Sequence, residues 1–260
     1  MTTWGWPDSE PALLDLQRRL GETAASARPA DAWPAGGRLA VAGCFVAYAR
    51  GEAGPGHPGD RAWAAAIVWT PPADDRPRRS GDVLRGAVAD RGVRRASDVG
   101  TQVVVAGRVP AAYAPGLLAA REGPILAAAV GALGRRPDVL LVDATGFDHP
   151  RRAGLATHLG AALDLPTVGV THRSLVGEGA FAPPRRGETS PVRLGGEEVG
   201  RWVCTRTGTR PVLAHAAWRT TPHIAAEIVL RASTEAARTP IPLQEARRVA
   251  REARAAAGAA

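Results

Sequence analysis

The sequence predicts an α/β protein: an antiparallel meander followed by parallel strands in one mixed sheet, flanked by helices. Three observations lead there. The amino-terminal part carries β-rich runs separated by polar turns. The rest alternates short apolar runs with longer helical stretches. Two of those runs, Val139–Val142 and Thr167–Val170, are short and free of charge, as in strands buried on both faces.

In order, residues 8–26 read as a helix, with Asp8 or Ser9 to cap it and Leu13, Leu14, Leu16 and Leu20 as its apolar face. A Pro/Gly/Ala-rich link follows. Leu39–Tyr48 and Ala62–Trp69 are strands around a polar, Gly/Pro-rich turn. After a loop at Pro71–Arg79, a third strand of the meander is expected within Asp82–Ala89, and Gln102–Arg108 is a further strand. Pro115–Leu133 is a helix with Pro at its start and Gly134 past its end. Arg152–Leu163 is a helix between the two buried strands. Val199–Arg206 and Pro211–Ala216 suggest a hairpin, and Thr221–Ala232 and Leu243–Ala257 are terminal helices. Gly51–Gly59, Ala180–Gly187 and the Ala-rich tail are expected to be flexible. One domain over residues 1–260 accounts for all of this, with 1–37 a helix and linker and 240–260 a helix and tail.

Composition narrows the class. Of 260 residues, 45% are hydrophobic and 22% charged, the balance of a folded, soluble chain. No apolar run reaches the ~20 residues of a membrane helix, and no signal peptide precedes the first helix, so no membrane partner and a cytoplasmic location are expected. Two cysteines, Cys44 and Cys204, exclude a disulfide scaffold and a four-cysteine zinc site. The net charge of +8 favours an anionic partner. That inference is discounted, because all 33 basic residues are Arg and the chain has no Lys or Asn, the bias of a GC-rich genome.

Candidate chemistry gathers after the strands. Asp143 ends the run Val139-Leu-Leu-Val-Asp, where ligands of open α/β sheets bind, and a carboxylate there suits a divalent cation or, equally, a cap or salt bridge. His149 in Asp148-His-Pro-Arg-Arg can orient a phosphate or water, and Arg151 and Arg152 can clamp a phosphate, although such a segment is more often solvated capping. Tyr113, in Ala-Ala-Tyr-Ala-Pro-Gly, can wedge into a base stack or sit in the core. Glu122 is a metal ligand or a salt-bridged helix residue. His172 and Arg173 end another strand. No GxGxxG, P-loop, GxSxG, HExxH or CxxC motif occurs.

Taken together, these segments resemble endonuclease V, the repair nuclease for deaminated purines such as inosine. The resemblance runs through Val41-Ala-Gly-Cys-Phe-Val-Ala-Tyr, Ala112-Tyr-Ala-Pro-Gly-Leu-Leu-Ala-Ala-Arg-Glu, the long block from Pro137 to Gly160, Leu165-Pro-Thr-Val-Gly-Val and Trp218-Arg-Thr-Thr. It implies a ribonuclease-H-like fold, a carboxylate-bound Mg²⁺ or Mn²⁺, and hydrolysis of a phosphodiester 3′ to the deaminated base. The implied partner is single-stranded or damaged DNA or RNA. The family's wedge maps onto Tyr113 with Pro115 and Gly116, its metal ligands onto Glu122 and Asp143, and its His-Pro-Arg-Arg histidine onto His149. Arg151, Arg152 and Arg173 are then expected to contact the strand, and His172 to share in catalysis. Several positions depart: Phe45 stands where the family has a metal-binding Asp, His172 where it has Lys, Trp218 where it has His, and Ala144 and Thr145 where it has Gly and another polar residue. Because a divalent ion stabilises phosphoryl-transfer charge by several kcal/mol, three readings stay open. These are a nuclease with a shifted metal site, an inactive homologue that binds nucleic acid or a protein partner, and new chemistry on a small molecule in a drier pocket around Phe45 and Trp218.

Overall fold

The computed structural model describes residues 4–27, 39–49, 56–70 and 99–258. In chain order the elements are helix α1 (Glu10–Ser26), strands β1 (Val41–Tyr48), β2 (Arg61–Trp69) and β3 (Val99–Arg108), helix α2 (Leu118–Gly131), strand β4 (Val139–Val142), helix α3 (Leu155–Leu163), strands β5 (Thr167–Thr171), β6 (Thr189–Leu194), β7 (Glu197–Val203) and β8 (Val212–Ala216), and helices α4 (Pro222–Arg231) and α5 (Ile241–Gly258). Among the described residues the strands form one sheet in the order β3-β2-β1-β4-β5-β8-β7-β6. β1, β2 and β3 are the antiparallel meander, β1, β4 and β5 run parallel, and β8, β7 and β6 return antiparallel.

The third strand of the meander is β3, which contains the run expected as a further strand; Asp82–Ala89 lies outside the described residues. β6 was not anticipated. It bears Pro191 and a register shift between Val192 and Arg193, and it lies at the sheet edge, where a proline is tolerated. The preceding stretch, expected to be flexible, is anchored: Arg186 donates from Nη2 to the carbonyls of Leu230 (3.1 Å) and Ser233 (2.8 Å). Two helices start later than expected. α2 begins after the loop of Pro115 and Gly116, and α3 begins after Arg152, whose φ of 53° is left-handed and incompatible with a helix.

Period-2 alternation in β1 sends Ala42, Cys44 and Val46 into a core with Ile125, Leu126 and Ala129 of α2 and Leu155 and Leu159 of α3. The other face packs Val41, Val139, Leu141 and Val170 against Ala225, Ile228 and Val229 of α4 and Leu243 of α5. Further along, Ala47, Ala65 and Ile67 meet Ala246, Val249 and Ala250 of α5. Gly43 permits that crossing, since a Cβ there would lie 2.4 Å from the Pro242 carbonyl carbon. A segment ahead of α1 joins the two helices of the first face. Trp6 stacks on the His158 ring of α3, centroids 4.4 Å apart, and fills the space beside Gly123 of α2, where a Cβ would stand 2.0 Å from the indole. No described helix is long and apolar enough to cross a membrane.

Candidate nucleic-acid interface and the altered acidic centre

Asp143 follows β4 at the carboxyl end of the parallel strands. The pairing Cys44↔Val142 sets Phe45 beside Asp143, one step further along both strands. Positions 45 and 143 therefore share the face that α5 crosses. Arg247 of α5 lies over both: its Nη2 is 2.8 Å from Asp143 Oδ2, and its guanidinium carbon is 5.5 Å from the centre of the Phe45 ring. Arg251 stands one turn further along α5, 5.7 Å from the same ring. A guanidinium thus occupies the place between the two strand positions.

Glu122 reaches the same end from α2 and accepts a hydrogen bond from the Tyr48 hydroxyl at 2.9 Å. Burial pushes its carboxyl up to about 7, the Tyr48 bond pulls it back, and the neighbouring Asp143 charge pushes it further up. Arg121, the next residue back, is fully used. It pairs with Asp60 at 2.6 Å, donates to the carbonyls of His57 and Ala111, and stacks 4.4 Å over the Tyr48 ring. Burial, with Glu122 and Asp143 nearby, raises the Cys44 thiol far above its ordinary value, so it is inert.

The loop of Tyr113, Pro115 and Gly116 is built around one carbonyl. Gly116 has φ +75°, and its oxygen accepts from Gln17 Nε2, Arg151 Nη2 and His149 Nε2, each at 3.1 Å. His149 Nδ1 accepts from the Arg151 backbone N–H at 3.2 Å, which leaves the ring proton on Nε2. Burial lowers the His149 pKa to about 4, so the ring is neutral and acts as a fixed donor. Arg151 is further held by Gln17 Oε1 at 2.7 Å. The three donors fix the loop that leaves Tyr113 46% exposed, with Pro115 also exposed. Gln17, buried on α1, carried no functional signal in the sequence.

The remaining candidates divide. Arg152 is committed to the β6–β7 hairpin, pairing with Glu197 at 2.6 Å and donating to the Leu194 carbonyl at 3.0 Å. Arg173 is exposed on the loop after β5. That loop is held by Asp148, which accepts from the backbone N–H of Leu175, Val176 and Gly177 and from the Ser174 hydroxyl. His172 begins the loop, half-buried, and burial and nearby arginines lower its pKa. Trp218 and Phe45 do not line one pocket. Trp218 packs with Leu16, Leu20 and Ala24 of α1, while Phe45 packs against α5.

A protein-family model described as Endonuclease V matches residues 85–248. The chain belongs to the endonuclease V family. It is 47% identical to an endonuclease V of Streptomyces coelicolor over 120 residues, 44% of this chain and 52% of the relative. It spans about half the length of the curated relatives it matches. The crystal structure of endonuclease V from Streptomyces avermitilis superposes with a TM-score of 0.76 at 30% identity, covering 98% of this chain and 96% of that one. Endonuclease V from Ciona intestinalis, in complex with a 24mer DNA containing an inosine followed by a ribo-adenosine, shares the fold with a TM-score of 0.67 at 19% identity, over 93% of this chain and 96% of that one. The mixed sheet is ribonuclease-H-like.

The acidic centre of this endonuclease V homologue does not fit the divalent cation that the resemblance implies. A hard cation needs several oxygen ligands. Phe45 supplies none, Asp143 is paired with Arg247, and Glu122 holds Tyr48 and binds a proton up to about pH 7. Among the described residues no group of three His, Cys, Asp or Glu side chains could hold a metal.

Proposed function

We propose that this endonuclease V homologue binds a nucleic-acid strand bearing a deaminated purine and does not cut it with a divalent cation. The observation that carries this reading is the Gly116 carbonyl, tied by three side-chain donors so that Tyr113 is presented on a fixed loop. An exposed aromatic on a rigid loop can stack on or between bases of any sequence, worth ~1–3 kcal/mol. The inosine-containing DNA held by the Ciona relative gives the class of ligand. Mg²⁺ and Mn²⁺ lose their role because Arg247 already neutralises Asp143.

The test is a gel assay on single-stranded DNA and RNA oligonucleotides carrying one inosine, in Mg²⁺, in Mn²⁺ and in EDTA. Salt-dependent retardation, weakened by Tyr113→Ala and without a cleavage product, is expected. Cleavage near the inosine that disappears in Asp143→Ala would overturn the non-cutting half. Absence of retardation on every oligonucleotide would overturn the binding half.

A further inference from the structure

Three buried side-chain nitrogens at the carboxyl end of β5 have no hydrogen-bond partner among the described residues: His172 Nδ1, Arg238 Nε and Arg247 Nε. Such orphaned donors are rare in folded proteins and are unfavourable unless something accepts from them. The backbone brings them together. His172 directly follows β5, whose Thr171 pairs with Leu213 of β8. Arg210 lies just before β8, and Arg238 donates to the intervening Pro211 carbonyl at 2.9 Å. Arg247 arrives over the β4 end beside it. The charges that act on His172 are those of Arg238, Arg247 and Arg210 and, opposing them, Asp143. Asp143 is the carboxylate facing the group, and Arg247 offsets it.

We propose that His172, Arg238 and Arg247, with the exposed Arg210 at the rim, form a phosphate-binding site that works without a divalent cation. Guanidinium groups and an imidazole N–H suit a phosphate oxygen, and none of the three arginines needs a metal to carry the positive charge. The site rests on the strand-binding reading for its natural ligand, a phosphodiester within the strand or a terminal phosphomonoester. It inverts the electrostatics of the acidic centre, since Arg247 turns a place for a cation into one for an anion.

The experiment titrates inorganic phosphate into the full chain in EDTA by calorimetry, then repeats it on Arg238→Gln, Arg247→Gln and Arg210→Gln. Arg210 is exposed, so its replacement keeps the test open if a variant at the half-buried Arg238 or Arg247 does not fold. Phosphate binding in EDTA, unchanged by Mg²⁺ and weakened about tenfold by Arg238→Gln and by Arg247→Gln, is expected. Lack of phosphate binding by the wild type, or equal binding by all variants, would overturn the site. A parallel arm compares retardation of oligonucleotides with and without a 5′-phosphate. A gain from the 5′-phosphate that vanishes in the variants assigns the terminal group. Equal binding, with the salt slope reduced by about 0.7 per arginine removed, assigns an internal phosphodiester. Strands that bind while the variants match the wild type would remove this site and leave strand binding standing. Phosphate that binds where no strand does would remove strand binding and leave this site.

Discussion

Tyr48 and Glu122 are joined by a hydrogen bond of 2.9 Å, and it acts against the burial that keeps the carboxyl protonated. The carboxyl is raised from its ordinary 4.5 to about 7, so its contribution to stability is full below about pH 4.5 and is lost as pH rises through 7. Glu122→Gln keeps the acceptor and removes the titration. Its melting temperature should exceed that of the wild type by a margin that widens from pH 5 to pH 8. Tyr48→Phe should raise the Glu122 pKa further, read by the carboxyl carbon shift in NMR. An unchanged value would show that the bond does not form in solution.

Acid should destabilise the chain from another side. His149, His158 and His215 are each lowered to about 4, mainly by burial. Their contribution is full above the ordinary value of 6.5 and is lost as pH falls through about 4, at up to ~1.4 kcal/mol per pH unit for each ring. Three imidazoles outweigh the opposite trend of one Glu122 carboxyl. Denaturant unfolding at stepwise pH should therefore show stability falling below pH 6, with a shallower fall in His158→Gln.

Gly116→Ala tests the loop that presents Tyr113. The residue sits at φ +75°, and a Cβ would come within 3.1 Å of Arg151 Nη2 and 3.5 Å of His149 Nε2. The strain and displaced donors should destabilise by about 1–2 kcal/mol. Affinity for an inosine oligonucleotide should fall with it, measured by gel retardation. Wild-type affinity in this variant would mean that the clamp does not position Tyr113.

Asp148→Ala removes the acceptor of three backbone bonds of 2.6–2.9 Å and one hydroxyl bond of 2.8 Å. Burial alone would raise this carboxyl, but His215 and the three backbone donors hold it below its ordinary value. The loss should reach about 3 kcal/mol or more by denaturant unfolding. Hydrogen exchange should speed up first at residues 174–177. Uniform exchange across the sheet instead would place the role of Asp148 elsewhere.

Phe45→Asp restores a carboxylate but places it beneath Arg247 and Arg251. Alone it should form ion pairs and gain no Mn²⁺ affinity. Combined with Arg247→Gln it should bind Mn²⁺, seen as a calorimetric heat and a rise in melting temperature. Metal binding by the single variant would show that Arg247 yields the site readily.

The parallel strands and their strand-end Asp143 were legible because strands buried on both faces are short runs without charge and ligands gather where they end. Tyr113 was half legible: its Pro-Gly loop allowed a stacking aromatic or a core residue, and the structure leaves it exposed. Arg247 was not. It lies 104 residues from Asp143, in a charged run whose amphipathic pattern reads as a solvated helix face. Only the path of α5 over β1, which Gly43 permits, brings it there. Gln17 was hidden in the same way, a polar residue on the apolar face of α1 whose partner loop is 99 residues away. Side chains that act through long-range pairing leave no local spacing to detect.

Trp6 gives the amino-terminal segment a task beyond leading into α1. Its ring is the spacer between α2, which carries Glu122, and α3, which follows the His149 loop. A truncation or fusion that displaces it would leave a flat slot against Gly123 and uncover the His158 ring, loosening α2 against α3 from more than a hundred residues upstream in the chain. Trimming the chain to its family-matched region, residues 85–248, would discard this spacer together with β1 and β2.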